Sequence, residues 1–169
     1  MTLLEQKHLA ILHEVARRGQ QDIDSIRLCF EALALASSID RACAARLAPY
    51  QLSEGKFTLL FLLNDLPDGL APHELAERAG VTRATITGLL DGLDRDGFLA
   101  RHNDSKDRRK VSVRLTLKGQ AIAQELFQEH SQWIGSLFAE LTQSERATLS
   151  DLLARVGQGL ASSANSEAS

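Results

Sequence analysis

Three prolines, one tyrosine and one tryptophan are all that 169 residues supply of the ring-constrained imino acid and the large polar aromatics. That scarcity, beside abundant Leu and Ala, argues against an all-β sandwich and predicts a mainly helical chain. A hydrophobic content of 44% is enough for one domain, or one core with appended helices. Long apolar runs are missing too. Met1 to Arg18 interleaves Glu5, Lys7, His8, His13 and Glu14 among its apolar residues, unlike a secretion signal, and no other stretch approaches the length that spans a bilayer. The expected location is therefore the cytoplasm, with no membrane partner, and Asn103-Asp104-Ser105 matches a glycosylation acceptor only formally.

Cysteine is scarce as well. Cys29 and Cys43, if carried by one helix, lie about 21 Å apart at 1.5 Å per residue, too far to bridge within the chain. They read as two small buried apolar residues in a reducing compartment, with thiol-based oxidant sensing as the alternative. The five histidines show neither a metalloprotease pattern nor zinc-finger spacing with the cysteines, so no metal is expected. Gly55-Lys56 lacks the first glycine of a phosphate-binding loop, because Tyr50 stands in its place. No catalytic residue and no cofactor emerge, so an enzyme is not expected.

The net charge of −3 hides an uneven distribution. From Arg101 to Lys118 seven cations (Arg101, Lys106, Arg108, Arg109, Lys110, Arg114, Lys118) face two acids, Asp104 and Asp107, a net of +5 that leaves −8 for the rest. A basic stripe on an acidic body is the footprint of a protein that touches phosphates in one place. A charge run alone is more often a solvated surface.

Hydrophobic spacing organises the remainder. Leu4, Ile11, Leu12 and Val15 suggest an amphipathic helix ending near Gly19. Asp24 to Leu47 lacks Gly and Pro and carries apolar residues in two stripes, predicting a long helix that Pro49 stops. Ser53 caps a helix to about Leu63, in which Phe57, Leu60, Phe61 and Leu63 supply core contacts. Thr116 opens another long helix, and Thr142-Gln143-Ser144-Glu145 reads as a capping box for a last one carrying Leu149, Leu152, Leu153, Val156 and Leu160. The small polar stretch 161–169 is expected to be disordered. Residues 1–52 and 119–160 thus read as terminal helices, whose apolar stripes exceed what the middle can cover and predict a second copy as partner, the alternative being a monomer with these helices folded onto its own core. Residues 53–118 form the compact middle.

That middle carries the functional signal. Pro72 and Glu74 suit a helix start, Leu75 and Ala79 face inward, and Gly80 suits the left-handed end. Thr82 caps a second helix to about Asp96, which gives the form of a helix-turn-helix. On that helix Ile86, Leu89, Leu90 and Leu93 share one face. The other side is small at Ala84, Thr87 and Gly88, with Arg83 and Thr85 in the first turn, so the backbone can approach a groove while Arg83 reaches a base. Phe98 to His102 and Val111 to Leu117 read as two strands joined by a charged tip, a wing able to lay arginines into a minor groove. Asp107, two residues before Arg109 on an extended strand, would hold its guanidinium in place.

Taken together, Leu75-Ala76-Glu77-Arg78-Ala79-Gly80-Val81-Thr82, Thr85-Ile86-Thr87, Leu93-Asp94-Arg95-Asp96-Gly97-Phe98-Leu99, Asp107-Arg108-Arg109 and Leu115-Thr116-Leu117-Lys118-Gly119 resemble the MarR family of regulators. The resemblance implies a mainly α fold with a small β-hairpin wing, a winged helix-turn-helix core and terminal dimerisation helices. It implies a homodimer on pseudo-palindromic double-stranded DNA, acting as a repressor released by a small-molecule effector, such as an aromatic acid or related metabolite, or by oxidation. Carried over by position, Arg83, Ala84, Thr85 and Thr87 would meet bases, and Asp107, Arg108, Arg109 and Lys110 would form the wing contact. Gly88 departs from the pattern, since many members have a polar or basic side chain there. Arg27 and Arg46 are candidates for an anionic effector, ordinary surface ion pairing being the commoner fate of such arginines. The rival reading is a winged-helix module that binds protein.

Overall fold

In the computed structural model, which describes residues 4–19, 22–103 and 111–167, the elements run α1 (Gln6–Arg17), α2 (Ile23–Leu47), α3 (Glu54–Asn64), α4 (Pro72–Ala79), α5 (Arg83–Arg95), β1 (Leu99–Asn103), β2 (Val111–Leu115), α6 (Leu117–Leu137) and α7 (Gln143–Glu167). Among the described residues the architecture is mainly helical, as the composition predicts, with one antiparallel hairpin where the strand pattern places it. Among the described residues no helix is long and apolar enough to cross a membrane. The chain divides after Gln120 into two units.

In the first unit, caps decide where helices begin. Asp22 accepts a hydrogen bond from the Ser25 N–H (3.2 Å) at the start of α2, and Ser53 Oγ accepts one from Lys56 N–H (3.3 Å) at the start of α3. A 3-10 turn at Ala48–Tyr50, containing Pro49, separates the two helices. α3 packs on α2, α4, α5 and β2. Its buried side is Leu59, Leu60 and Leu63 rather than the set with Phe61, which is exposed. At 100° per residue Phe61 points some 150° from the middle of that buried face, so helical phase overrides its hydrophobicity. Cys29 is likewise exposed on α2, contrary to the expectation that both cysteines are buried, while Cys43 is buried.

The hairpin pairs Leu99 with Leu115 and Arg101 with Val113. Val113 is fully buried and also exchanges both backbone hydrogen bonds with Leu70 (3.1 and 2.8 Å), so the segment before α4 flanks the hairpin like a third strand. β2 ends at Leu115, and Leu117, which the alternating pattern places in the strand, is exposed at the start of α6. The reason is the cap at Thr116, whose Oγ1 accepts the Gly119 N–H (3.1 Å). Gly119 is required there by close approach, because a Cβ would fall inside the van der Waals shell of the Phe98 carbonyl oxygen.

One ion pair ties the unit together across the chain. Lys56 Nζ on α3 lies 2.6 Å from the Asp96 carboxylate just past α5, with both side chains mostly buried. Lys118 Nζ donates to the Asp96 carbonyl (2.7 Å) and stands 4.5 Å from the centre of the Phe98 ring. The hydrogen bond from Lys56 holds the Asp96 carboxyl below the usual aspartate range, against a smaller opposing effect of burial.

The second unit holds the rest of α6 and α7. Thr142 and Glu145 form the predicted capping box, Thr142 N–H donating to Glu145 Oε2 (2.7 Å) and Glu145 N–H to Thr142 Oγ1 (3.3 Å). α7 continues to Glu167, whereas composition suggests disorder from residue 161. Once a helix is nucleated, each added residue gains a hydrogen bond, and alanine has the best propensity to propagate it.

Two consequences are measurable. Gly119→Ala should lower unfolding stability by about 3 kcal/mol in urea denaturation, since backbone rather than a mobile side chain must yield. Because the folded pKa of Asp96 lies below its unfolded value of about 3.9, its contribution is complete above that value and is lost as pH falls through the folded pKa. Asp96→Asn should therefore be less stable than wild type near neutrality, and the difference should shrink on acidification from about pH 5 downward; a difference that grows in acid would contradict the assignment.

Candidate nucleic-acid interface

The turn between α4 and α5 is built entirely from local chemistry. Glu74 accepts the Ala71 N–H (2.8 Å) at the start of α4. At its end Gly80 adopts φ +65°, its N–H donates to the Glu77 carbonyl (3.1 Å), and the Val81 N–H donates to the Ala76 carbonyl (3.0 Å). These two bonds form the αL closure that glycine permits at least cost. Thr82 Oγ1 then accepts the Thr85 N–H (3.2 Å), and α5 starts at Arg83. The two helices are thus joined by the predicted tight turn.

Burial fixes which way α5 faces. Ile86, Leu90 and Leu93 are buried and Leu89 half-buried, while Arg83, Ala84, Thr85, Thr87 and Gly88 are all exposed. The Arg83 guanidinium has no hydrogen-bond or ion-pair partner among the described residues. Thr87 Oγ1 donates to the Arg83 carbonyl (2.9 Å), so its methyl and lone pairs remain for a partner. Thr85 Oγ1 shares a hydrogen bond with Thr82 Oγ1 (2.9 Å). A Cβ added at Gly88 meets nothing within 4 Å, so this part of the face is open. The result is a helix with a flat outer surface and, at its N-terminal end, an exposed guanidinium that is unpaired among the described residues.

The hairpin follows directly after α5, as expected. Asp107, Arg108, Arg109 and Lys110 lie outside the described residues, as do Asp104, Ser105 and Lys106. The rest of the basic stripe is paired within the DNA-free fold. Arg101 donates to the Asp91 carboxylate on α5, with Asp94 3.8 Å away. Arg114 Nε donates to the Asp68 carbonyl (3.0 Å). Lys118 is held by Asp96 and Phe98 as described above. Sequence reasoning counted these charges but missed their partners, which lie 10, 46 and 22 residues away along the chain. No local pattern marks such pairs.

The candidate effector residues do not converge. Arg27 and Arg46 are both exposed on α2, about 28 Å apart at 1.5 Å per residue, so one small molecule cannot meet both in a single subunit. Arg46 Nη1 donates to the Ala42 carbonyl (3.2 Å). Neither arginine lines the cavity of about 290 Å³ formed by Pro49, Tyr50, Gln51, Asp96, Phe98 and Lys118, nor that of about 320 Å³ beside Asn64, Asp65 and Arg114. Burial, then the charges of Glu54 and Asp40, push the Cys43 thiol up, which disfavours the reactive thiolate.

Comparison with known proteins gives four informative matches. The sequence model of the MarR family matches residues 52–111. The chain is 36% identical over 148 residues to the HTH-type transcriptional repressor YetL of Bacillus subtilis (strain 168), covering 85% of this chain and 89% of the relative. Among solved structures it resembles the reduced form of MarR from E. coli, with a TM-score of 0.61 and 30% identity over 72% of this chain and 89% of that one. It shares the fold of Streptococcus pneumoniae FabT in complex with DNA, with a TM-score of 0.68 and 21% identity over 80% and 96% of the two chains.

The cap at the start of α5 can be tested on its own. Thr82→Ala removes the acceptor for the Thr85 N–H and should cost about 1 kcal/mol of stability, whereas Thr82→Ser should cost much less; equal losses in thermal unfolding would remove the hydroxyl from the account.

Proposed function

Since the chain belongs to the MarR family, we propose that this winged-helix, DNA-binding transcriptional regulator works as a homodimeric repressor. Each subunit lays α5 in a major groove and its wing in the adjoining minor groove of a pseudo-palindromic operator. A small ligand, such as an aromatic acid or related metabolite, releases it. The observation that carries this reading is the outer face of α5, flat at Ala84 and Gly88 and led by an exposed Arg83 whose guanidinium is unpaired among the described residues. A surface of that shape lets backbone approach base edges while arginine pairs bidentately with guanine.

In this proposal Arg83, Ala84, Thr85 and Thr87 meet bases, Asp107 orients Arg109, and Arg108, Arg109 and Lys110 meet phosphate and the minor groove. Residues 53–118 are the DNA-reading part, and 1–52 with 119–160 supply the contacts between subunits. Exposed apolar side chains support the dimer: Leu28 and Leu33 on α2 are 63% and 55% exposed, and Val156 and Leu160 on α7 are 66% and 71% exposed. The repressor sense follows the relative named as a transcriptional repressor. The chain carries out no catalytic step and acts on DNA in the cytoplasm. An anionic effector would meet Arg27 or Arg46, and Cys29 is the cysteine left for oxidant sensing.

Binding to a duplex selected by the protein from a random pool should weaken with salt, with a log–log slope of about −0.9 per neutralised phosphate. Arg83→Ala should relax base preference at one position per half-site, costing about 1–3 kcal/mol there. Arg109→Ala should weaken binding to all sequences alike. Binding that is undetectable or indifferent to salt would favour a protein partner, and equal losses from both variants on every sequence would refute the division of roles.

A further inference from the structure

Arg101 stands where the two DNA-contacting parts proposed above are joined. It lies on β1 opposite Val113, and its guanidinium crosses to the Asp91 and Asp94 carboxylates on α5. Asp91 follows Gly88 by three residues and Thr87 by four, so it prolongs the outer face of α5. Asp94 prolongs the line of Arg83 and Thr87. The three side chains are 41–54% exposed. An ion pair so open to water contributes little stability and is screened by salt, so it exchanges readily for another partner.

A duplex that takes α5 in its major groove and the hairpin in the adjoining minor groove must carry one sugar–phosphate backbone between them, past the base of β1. The geometry points to Arg101 as a phosphate contact that the DNA-free protein keeps occupied with two carboxylates. Asp91 and Asp94 stand in for phosphate, and on binding the guanidinium passes from them to the backbone crossing the gap. A guanidinium fork fits a carboxylate and a phosphate alike, so the exchange keeps its hydrogen bonds and replaces a weak local pair with a contact that releases counterions. The two acids, left on the DNA-facing side without their partner, oppose every encounter with DNA whatever its sequence.

This rests on the DNA-binding reading, and salt titration separates the two. The probes are a short mixed-sequence duplex and a duplex selected by the wild-type protein from a random pool. Arg101→Gln should weaken binding to both and make the log–log slope shallower by about 0.9, while Arg101→Lys keeps the wild-type slope. Asp91→Asn with Asp94→Asn should bind both duplexes more tightly than wild type. A bridge that merely braces the hairpin predicts the opposite for the asparagine pair, which would then weaken binding as Arg101→Gln does. That result, or an unchanged slope in Arg101→Gln, overturns the proposal while the steep wild-type slope leaves DNA binding intact. A wild-type protein whose binding ignores salt overturns both.

Discussion

Ile86, Leu90 and Leu93 are almost completely withdrawn from water, and this burial sets the rotation of α5 about its own axis. Each such side chain contributes about 1.5–3 kcal/mol relative to exposure, so turning the helix by one residue would expose part of that set and bury Arg83 or Thr87 instead. The outer face is therefore fixed from the inside. Thr82 and Gly80 decide where the helix begins, and the leucines decide which way it faces. The flatness at Ala84 and Gly88 depends on both decisions, which are made by hydrogen bonds and packing within the subunit.

Electrostatics follows a similar division. A net charge of −3 with a cationic run is easily taken for a surface given over to phosphate. Yet Arg114 and Lys118 direct donors to the carbonyls of Asp68 and Asp96, and without DNA Arg101 rests on Asp91. Arg114 and Lys118 thereby tie the hairpin and the start of α6 to the helix-turn-helix. The family relationship and the helix geometry, rather than the size of the charge run, carry the functional argument.

The readable part of this chain was local. The caps at Ser53, Thr82 and Thr142, the αL glycine at position 80 and the apolar face of α5 all act within one or two helical turns, and each was placed correctly from residue spacing. The errors came where phase or context outweighed residue type. Phe61 was placed inside for its hydrophobicity and lies outside by its helical angle, Cys29 is exposed, and Leu117 left the strand pattern because Thr116 caps a helix. Arg83, Thr85 and Thr87 lie on the exposed side of α5, where their spacing predicts them.

By itself the sequence determined the order of helices, the turn between α4 and α5 and the hairpin that follows, because hydrogen bonds within a few residues and a repeating apolar spacing need no distant partner. Tertiary structure alone decided that Lys56 meets Asp96 forty residues away, that Leu70 pairs with Val113, and that Arg101 rests on α5. Such contacts depend on how packed elements bring remote segments to within a few ångströms, and no periodicity along the chain encodes that distance.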